Sequence, residues 1–338
     1  MADGVFKIAI IGAGGISGAH SGAIKASGGR IVLAAAVDPH PENLQKLIAA
    51  HNGSKGYSTV EAFLKARKAG EVAADGVVIC TPPSARIKLV EASLKSGLHV
   101  LSEKPIAHTL ADARKLAAIA KKYKKSKTFV AYCHRFAPAV LRMKELTNAG
   151  KIGQLVRFEN AFACDLPGHK GKWFSDAKKS GGGACLDMGS HSIDLFHFMV
   201  GPSATVGAVM SKKWKGRTET AGTVLVKSTK AAPGAKNNKP GVAGSIISGW
   251  AETCRFTVAL VGDAGMLFYD YEKPLEIIFK DLGGKAEPIV VEAHDVRFTR
   301  QLLAFADAVQ HGTKSGLASF DDGVAAAAAF DKAAKLSR

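Results

Sequence analysis

The segment KIAIIGAGGISGAH, residues 7–20, decides how the chain begins to fold. Its first part, residues 7–11, is a short apolar run that is typical of a strand buried in a parallel sheet. The glycines that follow predict a tight turn, and the turn opens into a helix that we expect to end near Ala26. A strand, a glycine turn and a helix in this order present backbone N–H groups at a helix N-terminus, where a phosphate group binds well.

The turn itself carries the pattern G-x-G-x-x-S, formed by Gly12, Gly14 and Ser17. Serine stands where the dinucleotide fingerprint has a third glycine, but it is small enough for the helix to approach the strand. We therefore predict that Gly12, Gly14, Gly15 and Ile16 contact the pyrophosphate of a dinucleotide. A glycine-rich turn that binds no ligand is the alternative that this motif alone leaves open.

Asp38 adds a second indication, because it ends the next apolar run, residues 31–37. A carboxylate at that position accepts hydrogen bonds from the ribose hydroxyls of adenosine and repels the 2′-phosphate of NADP. The predicted cofactor is therefore NAD, with NADP as the second choice. A cap for the next helix is the structural alternative for Asp38.

Strands and helices alternate up to residue 133, which is typical of a doubly wound parallel sheet of the Rossmann type. Further strands are predicted at 75–80, 99–101 and 128–132, and helices at 41–51, 86–96 and 110–123. Beyond this point a helix at 183–199 and serial strands between 154 and 279 predict an α+β domain with an open, mainly antiparallel sheet. We therefore divide the chain into residues 1–133, which bind the dinucleotide, and residues 134–338, which bind substrate and form oligomers. The end of the chain from Arg297 is predicted to be helical, and AAPGAKNNKPG at 231–241 predicts a long basic hairpin loop.

The net charge of +17 raises the question of an anionic partner. The densest basic cluster, KKYKKSK at 121–127, contains a single aromatic residue, Tyr123, without a repeated aromatic pattern, and no helix-turn-helix pattern surrounds it. It is interpreted as the solvated end of a helix, and we predict no specific nucleic-acid partner. The charge would also favour a phosphorylated cofactor or an acidic substrate without choosing between them.

The five cysteines are scattered and form no C-x-x-C pair. This pattern argues against a disulfide framework and a zinc ribbon, and it predicts a reduced, intracellular and most simply cytoplasmic location. Because no apolar run reaches the roughly 18 residues that a membrane span requires, we predict no membrane partner.

A second motif, GGGACLDMGSHSID at 181–194, predicts a glycine loop that turns into a helix. Asp187 and His191 are four residues apart and therefore share one face of that helix. Histidine moves a proton readily near neutral pH, so His191 is the candidate acid–base group. A buried structural histidine is one alternative. A metal site of His191, Asp194 and His197 is another, but the spacing is not H-E-x-x-H and we predict no metal.

Taken together, the chain resembles the Gfo/Idh/MocA oxidoreductases over nearly its whole length. The motifs that carry the resemblance, in chain order, are GAGGIS at 12–17, Asp38, TPP at 81–83, EKP at 103–105, HRFAP at 134–138, GKIG at 150–153, Trp173 and GGGACLDMGSHSID. The resemblance implies that Lys104, Asp187 and His191 gather around the substrate hydroxyl and the nicotinamide. His191 is expected to take the hydroxyl proton and Lys104 to stabilise the developing alkoxide. Asp187 is expected either to bind a neighbouring hydroxyl or to fix the lysine and the histidine.

The resemblance also implies contacts outside these three residues. Cofactor contacts are expected from Thr81, Pro82, Glu103, Lys104 and Arg135, and substrate contacts from Lys104, Trp173, Asp187 and His191. One departure affects the cofactor edge: family members often carry TPNxxH, whereas Pro83 and Arg86 occupy the asparagine and histidine positions here. Arg86 is therefore expected to bring a positive charge close to the site.

The predicted function is NAD(P)-dependent hydride transfer at a carbinol of a sugar, polyol or related cyclic alcohol. An NAD-dependent glycoside hydrolase of the same fold and a non-catalytic dinucleotide-sensing regulator are the alternatives. The expected partner is a small polyhydroxylated substrate, and an exposed sheet face in the second domain favours a homodimer or homotetramer.

Overall fold

The computed structural model describes residues 4–214, 218–231, 239–291, 296–313 and 316–337. Most of the predicted basic loop, residues 232–238, therefore lies outside the described residues. The chain forms two compact units, and each is described by itself. The first unit consists of Met1–Ala107, Ala111–Cys133 and Arg297–Val324, and the second of His108–Leu110, His134–Val296 and Ala325–Arg338.

The first unit is built on a six-stranded, entirely parallel sheet. Its strands are β1 (Phe6–Ile11), β2 (Ile31–Val37), β3 (Lys55–Tyr57), β4 (Gly76–Ile79), β5 (His99–Ser102) and β6 (Thr128–Val130). Its intervening helices are α1 (Gly15–Lys25), α2 (Pro41–Ala49), α3 (Val60–Lys68), α4 (Arg86–Lys95) and α5 (Leu110–Lys122). The order β3-β2-β1-β4-β5-β6 reverses direction next to β1, where a doubly wound sheet binds its ligand.

The pattern of apolar residues explains this sheet. In β1 the side chains of Ile8 and Ile10 are fully buried, and β4 is buried along its whole length. Strands covered by helices on both faces have this nearly continuous apolar sequence. β3 was not predicted, because it is only three residues long and largely exposed, and it therefore carries no apolar run. The helix α3 that follows it was not predicted either.

The second unit contains an eight-stranded sheet in the order β14-β13-β12-β11-β7-β10-β9-β8. Its elements are α6 (Pro138–Asn148), β7 (Leu155–Ala163), α7 (Ala177–Ser180), α8 (Ala184–Met199), β8 (Ser203–Ser211), β9 (Ala221–Ser228), β10 (Ala243–Gly249), β11 (Arg255–Gly262), β12 (Gly265–Asp270), β13 (Glu276–Asp281) and β14 (Ala286–Val290). Among these described strands only β7 and β10 pair in parallel. The predicted fold class, a Rossmann sheet followed by an open and mainly antiparallel sheet, is confirmed.

Helix α8 packs across one face of this sheet. The Phe196 ring meets Phe158 of β7 edge-on, with 5.4 Å between ring centroids. A Cβ atom added to Gly244 of β10 would lie 2.6 Å from the Phe196 ring, so the glycine lets the helix approach. The opposite face is more open: Val209 is 74% exposed and Leu225 46%.

Two C-terminal helices follow, α9 (Arg297–His311) and α10 (Phe320–Leu336). The sequence assigned all of residues 134–338 to the second domain, but the contacts of Arg297–Val324 are with the first unit. The physical reason is that Leu302 and Phe305 of α9 are fully buried in the core under β1, where the Phe305 ring meets Phe6 edge-on at 5.5 Å. This packing joins residues that are far apart in the sequence, such as Phe6 and Phe305, and the local pattern of apolar residues does not reveal it.

The basic cluster at 121–127 and the absence of a membrane span were both predicted from the sequence. The lysine cluster lies at the C-terminal end of α5, where Lys121 and Lys122 are exposed and positive charge complements the helix dipole. Over the parts of the chain that the structure describes, no helix combines the length and the apolarity that crossing a bilayer demands.

Candidate active site

The glycine turn joins β1 to α1 in the first unit. Gly12 has φ +97°, and a Cβ atom there would lie 3.0 Å from the backbone of Cys80 and Thr81, so only glycine fits. At Gly14 and Gly15 an added Cβ atom would meet nothing within 4 Å, and both residues are exposed together with Ile16. The start of α1 therefore has room for a pyrophosphate group, as the dinucleotide motif requires.

Asp38 follows β2 and is 7% exposed. Its Oδ2 accepts a hydrogen bond of 2.6 Å from the Ala13 N–H, and its Oδ1 accepts one of 2.8 Å from the His40 N–H. The carboxylate thus holds the glycine turn in place, which is a role the sequence did not predict. Because each carboxylate oxygen accepts more than one hydrogen bond, these contacts are compatible with the predicted ribose contact.

Thr81, Pro82, Glu103 and Lys104 lie at the same edge of the sheet, just beyond the carboxyl ends of β4 and β5. Backbone hydrogen bonds extend the strand ladder to this point, from the Cys80 N–H to Ile11 and from the Glu103 N–H to Ile79. Lys104 is half-buried, and its peptide bond to Pro105 is cis. All four residues are therefore placed where open α/β sheets bind ligands.

Glu103 points inward. Its Oε1 lies 2.8 Å from His20 Nε2 of α1, and its Oε2 accepts a hydrogen bond of 3.0 Å from the Lys104 N–H. Burial raises the pKa of Glu103, but the hydrogen bond to His20 and the charges of His20, Lys104 and Arg86 outweigh this effect, so the pKa is lowered. A buried carboxylate that stays ionised thus connects the helix of the glycine turn to the backbone of Lys104.

Arg86 is 2% exposed and does not reach solvent. Its guanidinium donates to the carbonyl oxygen of Thr81 at 2.8 and 3.1 Å, and to the carbonyl oxygens of Glu103 and Pro105. Burial lowers the pKa of Arg86 to about 10, although the nearby Glu103 raises it. The positive charge of Arg86, which was expected close to the site, therefore connects the turn after β4 to the loop that contains Lys104.

In the second unit, Asp187 and His191 lie in the first two turns of α8, one turn apart as predicted. The side chain of Asp187 is 17% exposed, and its Oδ2 accepts a hydrogen bond of 3.1 Å from the Trp250 indole N–H. His169 Nε2 lies 4.0 Å from the same oxygen. A fully buried tryptophan thus fixes the orientation of a carboxylate that is still accessible.

His191 lies against a second histidine that the sequence did not single out as a site residue. The rings of His134 and His191 meet edge-on with 4.5 Å between centroids, and both residues are buried. His134 Nδ1 in turn lies 2.7 Å from the Tyr271 hydroxyl of the segment after β12. This contact holds the His134 ring, which packs against the candidate acid–base group.

Arg135, Asp194 and His197 have partners within the second unit. The Arg135 guanidinium donates to both carboxylate oxygens of Asp194, at 2.6 and 2.8 Å, and both residues are buried. His197 Nε2 lies 2.8 Å from the Ser203 hydroxyl. Asp194 and His197 therefore point to separate partners rather than to a shared metal site with His191. Arg135, expected at the cofactor, is placed in a buried bidentate ion pair.

Glu219 is a further residue that sequence reasoning missed. Its Oε1 accepts hydrogen bonds from the Gly183 N–H at 2.7 Å and the Cys185 N–H at 3.2 Å, and its carbonyl oxygen accepts one from the Ala184 N–H at 3.0 Å. A Cβ atom on Gly183 would lie 1.8 Å from that carbonyl oxygen. The absence of a side chain at Gly183 therefore allows Glu219 to cap the helix that carries Asp187 and His191.

Lys104 belongs to the first unit, whereas Asp187, His191 and Trp173 belong to the second. That Lys104, Asp187 and His191 surround one substrate stays a prediction. Within the second unit, the structure brings Asp187 and His191 together on one helix, and it places Trp173 on the segment before α7, stacked on Phe174 with 3.8 Å between centroids.

Two family profiles match most of the chain. The profile of an oxidoreductase family with an NAD-binding Rossmann fold matches residues 6–132, and the GFO/IDH/MocA C-terminal domain matches residues 140–268. The chain belongs to the Gfo/Idh/MocA oxidoreductase family. The resemblance inferred from the motifs is thereby confirmed.

Individual relatives agree with this assignment. The rhizopine catabolism protein MocA of Rhizobium meliloti is 32% identical over 208 residues, which cover 62% of this chain and 61% of that protein. The match thus spans about three fifths of the curated relative.

Two solved structures share the fold along almost the whole chain. A 3-ketoreductase from Actinomadura kijaniata, in complex with NADP and TDP-benzene, aligns with a TM-score of 0.83 and 20% identity over 99% of this chain and 98% of that one. Levoglucosan dehydrogenase in complex with NADH aligns with a TM-score of 0.84 and 19% identity over 99% and 97%.

Glu219 generates a prediction about stability. Replacing it by alanine leaves buried amide groups at the start of α8 without their acceptor, so Glu219→Ala should lower the free energy of unfolding by about 1–3 kcal/mol. Glu219→Gln keeps one acceptor oxygen and should lose less. Urea unfolding checks this, with the exposed Glu287→Gln of β14 as a control expected within about 0.5 kcal/mol of wild type.

The difference in stability between Glu219→Gln and the wild type should also depend on pH. Burial raises the pKa of Glu219. A carboxyl group with a raised pKa contributes stability below its unfolded pKa, and this contribution is lost as the pH rises through the folded pKa. Glu219→Gln does not titrate, so its stability relative to wild type should increase from about pH 4 to pH 7. A flat or falling difference would contradict this picture of the cap.

Proposed function

We propose that the protein is an NAD-dependent dehydrogenase that oxidises a carbinol of a sugar, polyol or related cyclic alcohol. The observation that carries the proposal is the presentation of Asp187 and His191 on the capped first turns of α8, with Asp187 oriented by Trp250. Membership of an oxidoreductase family with an NAD-binding Rossmann fold supports it. The relative named levoglucosan dehydrogenase supports a sugar-like substrate.

The glycine turn fits a dinucleotide, because Gly14 and Gly15 leave the start of α1 open. Gly12, Gly14, Gly15, Ile16 and Asp38 would hold its pyrophosphate and adenosine ends. Thr81, Pro82, Glu103 and Lys104 would face the nicotinamide end, with Glu103 acting through its backbone since its carboxylate binds His20. NAD, when bound, supplies the acceptor for the hydride that leaves the carbinol carbon.

Side chains of the protein accept the hydroxyl proton of the substrate and stabilise the negative charge on its oxygen. His191 removes the hydroxyl proton through an imidazole nitrogen, a role that suits a histidine near neutral pH. The Lys104 ammonium stabilises the negative charge that develops on the same oxygen. Asp187 binds a neighbouring hydroxyl and so fixes which carbinol reacts.

The choice of NAD over NADP rests on Asp38. Its carboxylate would repel a 2′-phosphate, and its buried position beside the glycine turn allows little movement away from that phosphate. Named relatives have been solved with either dinucleotide. No observation favours the glycoside hydrolase or the dinucleotide-sensing regulator, so neither is proposed.

We also propose an intracellular, most simply cytoplasmic, location. All five cysteines are free thiols, and three of them are buried. Such thiols are typical of a reducing compartment. Neither a nucleic acid nor a membrane is proposed as a partner.

Three predictions test the proposed function, and the first of these three concerns catalysis. Lys104→Ala and His191→Ala should each lower kcat by about a hundredfold or more, on the scale of general acid–base groups, while NAD binding persists. The rate of NAD reduction with a panel of sugars and cyclitols measures the first quantity, and NAD titration calorimetry the second. Lys95→Ala, an exposed residue of α4, is the control. Near-normal turnover in both variants would overturn the assignment of these residues.

The second prediction concerns Asp38. Asp38→Asn removes the charge but keeps an oxygen that can accept from Ala13, so it should reduce the preference for NAD over NADP by about tenfold without weakening NAD binding strongly. Asp38→Ala also removes the acceptor and should weaken binding of both cofactors. Dissociation constants of each protein with each cofactor test this. A wild type that already prefers NADP would show the charge argument to be wrong.

The third prediction concerns assembly. We propose a homodimer or homotetramer that covers the open face of the eight-stranded sheet, where Val209 and Leu225 are exposed on neighbouring strands. Light scattering of the wild type should give twice or four times the mass of one protomer, and Leu225→Glu should reduce it. A monomeric wild type at micromolar concentration would contradict the proposal.

A further inference from the structure

Two of the five cysteines lie opposite each other at one end of the sheet in the second unit. Cys254 is exposed and Cys164 is half-buried, whereas the other three cysteines are buried. Strands β7 and β11 form an antiparallel ladder that ends where Ala163 pairs with Arg255. Continuing the same register by one residue places Cys164 opposite Cys254. The pairing of the strands therefore brings together the two cysteines that solvent reaches.

The two thiols share one face of the sheet, because directly opposite residues of an antiparallel pair point to the same side. The neighbouring pair on this face, Phe162 and Phe256, shows the arrangement, with 5.4 Å between the ring centroids. Opposite residues of such a ladder have Cα atoms about 4.5 or 5.5 Å apart, and disulfides join residues whose Cα atoms are about 4.4–6.8 Å apart. Cys164 and Cys254 thus meet the geometric requirement of a cross-strand disulfide without a change of fold.

The cysteine pair lies beside the contact that orients Asp187. The segment between β10 and β11 carries both Trp250 and Cys254. Two residues after Cys164, the Leu166 N–H donates a hydrogen bond of 2.8 Å to the carbonyl oxygen of Trp250. Trp250 in turn donates its indole N–H to Asp187 Oδ2. The backbone on both sides of the cysteine pair is therefore connected to the residue that holds the candidate substrate-binding carboxylate.

Charges around the pair decide how readily it reacts. Burial raises the pKa of Cys164, and the nearby Cys254 and Asp187 raise it further. Desolvation and the Glu272 carboxylate raise the pKa of Cys254. Because the thiolate is the form that attacks an oxidant, both thiols react slowly near neutral pH. The pair is therefore expected to stay reduced in a reducing compartment and to react when an oxidant accumulates.

We propose that Cys164 and Cys254 form a reversible disulfide when a peroxide oxidises the protein, and that this cross-link slows substrate oxidation at Asp187 and His191. The second part rests on the proposed function, because it takes Asp187 as a substrate contact. One thiol reacts with hydrogen peroxide to give a sulfenic acid and water. The other thiol then attacks the sulfenic sulfur, which forms the disulfide and releases a second water. One peroxide thus oxidises two thiols, and a thiol reductant reverses the change.

The cross-link moves the backbone near the site. Opposite Cβ atoms of an antiparallel pair are about 4.5–5.5 Å apart, whereas a disulfide requires about 3.5–4.5 Å. The end of β7 and the segment before β11 must therefore approach each other by about 1 Å. Since Leu166 and Cys254 flank Trp250 on these two segments, the movement displaces the indole that orients Asp187. A displacement of this size at a positioned group lowers the rate by up to about a hundredfold.

Oxidation of the full-length protein with hydrogen peroxide tests the proposal. The protein is treated, alkylated with iodoacetamide and digested without reduction. Mass spectrometry should find two peptides linked through Cys164 and Cys254, and dithiothreitol should separate them. The rate of NAD reduction, measured with the best substrate from a panel of sugars and cyclitols, should fall at least about fivefold on oxidation and recover with dithiothreitol.

Variants separate this disulfide from other oxidation. Cys254→Ser and Cys164→Ser should each form no linked peptide and keep their rate of NAD reduction after peroxide. Cys80→Ala, which lacks a buried cysteine of the first unit, is the matched control and should respond to peroxide as the wild type does. The proposal is overturned by a wild type without the linked peptide, by a linked peptide that leaves NAD reduction unchanged, or by a peroxide effect that persists in Cys254→Ser.

Failure of the proposed function looks different. A linked peptide in a protein that reduces no NAD with any member of the panel supports the disulfide and contradicts hydride transfer. NAD reduction that depends on Lys104 and His191, and that survives peroxide without a linked peptide, supports the proposed function and contradicts the inference.

Discussion

The second unit depends on the close approach of Glu219 to the start of α8. One residue accepts the amide hydrogens of Gly183, Ala184 and Cys185 through its carboxylate and its backbone carbonyl, and a side chain at Gly183 would prevent this. The first turn of α8 is thereby fixed, and Asp187 and His191 lie in the first two turns. Trp250 then orients Asp187, and the aromatic rings around Trp250 extend outward from that point. A contact between residues 36 positions apart in the chain thus determines where the candidate chemistry takes place.

In the first unit, two buried charged side chains hold separate segments of the chain together. Arg86 binds the carbonyl oxygens of the turn after β4 and of the loop that contains Lys104, while Glu103 binds His20 of α1. Removing such a charge from water is costly unless hydrogen bonds replace the lost solvation. The hydrogen bonds to three separate segments provide this replacement, and in return they hold those segments at one edge of the sheet. Arg86 therefore acts through the backbone of Lys104 rather than by facing a ligand.

Much of this structure could be predicted from the sequence, and the remainder has a common physical origin. The apolar runs that form β1, β2 and β4, and the four-residue spacing of Asp187 and His191, are local patterns, so periodicity was sufficient to place them. The partners that fix the site are distant in sequence: Glu103 lies 83 residues from His20, and Trp250 lies 63 residues from Asp187. A single sequence does not reveal which distant residues meet. The packing of α9 on the first unit and the role of Glu219 were missed for the same reason.

In the proposed reaction, a hydride leaves a carbinol carbon for the nicotinamide, while side chains of the protein take the proton and stabilise the charge. Isotopic labelling tests it most directly. A cyclic substrate deuterated at every carbinol carbon, incubated with the protein and unlabelled NAD, should yield reduced cofactor that carries one deuterium by mass spectrometry, together with ketone product. Product that forms while the cofactor stays oxidised, or reduced cofactor that carries only hydrogen, would contradict the account.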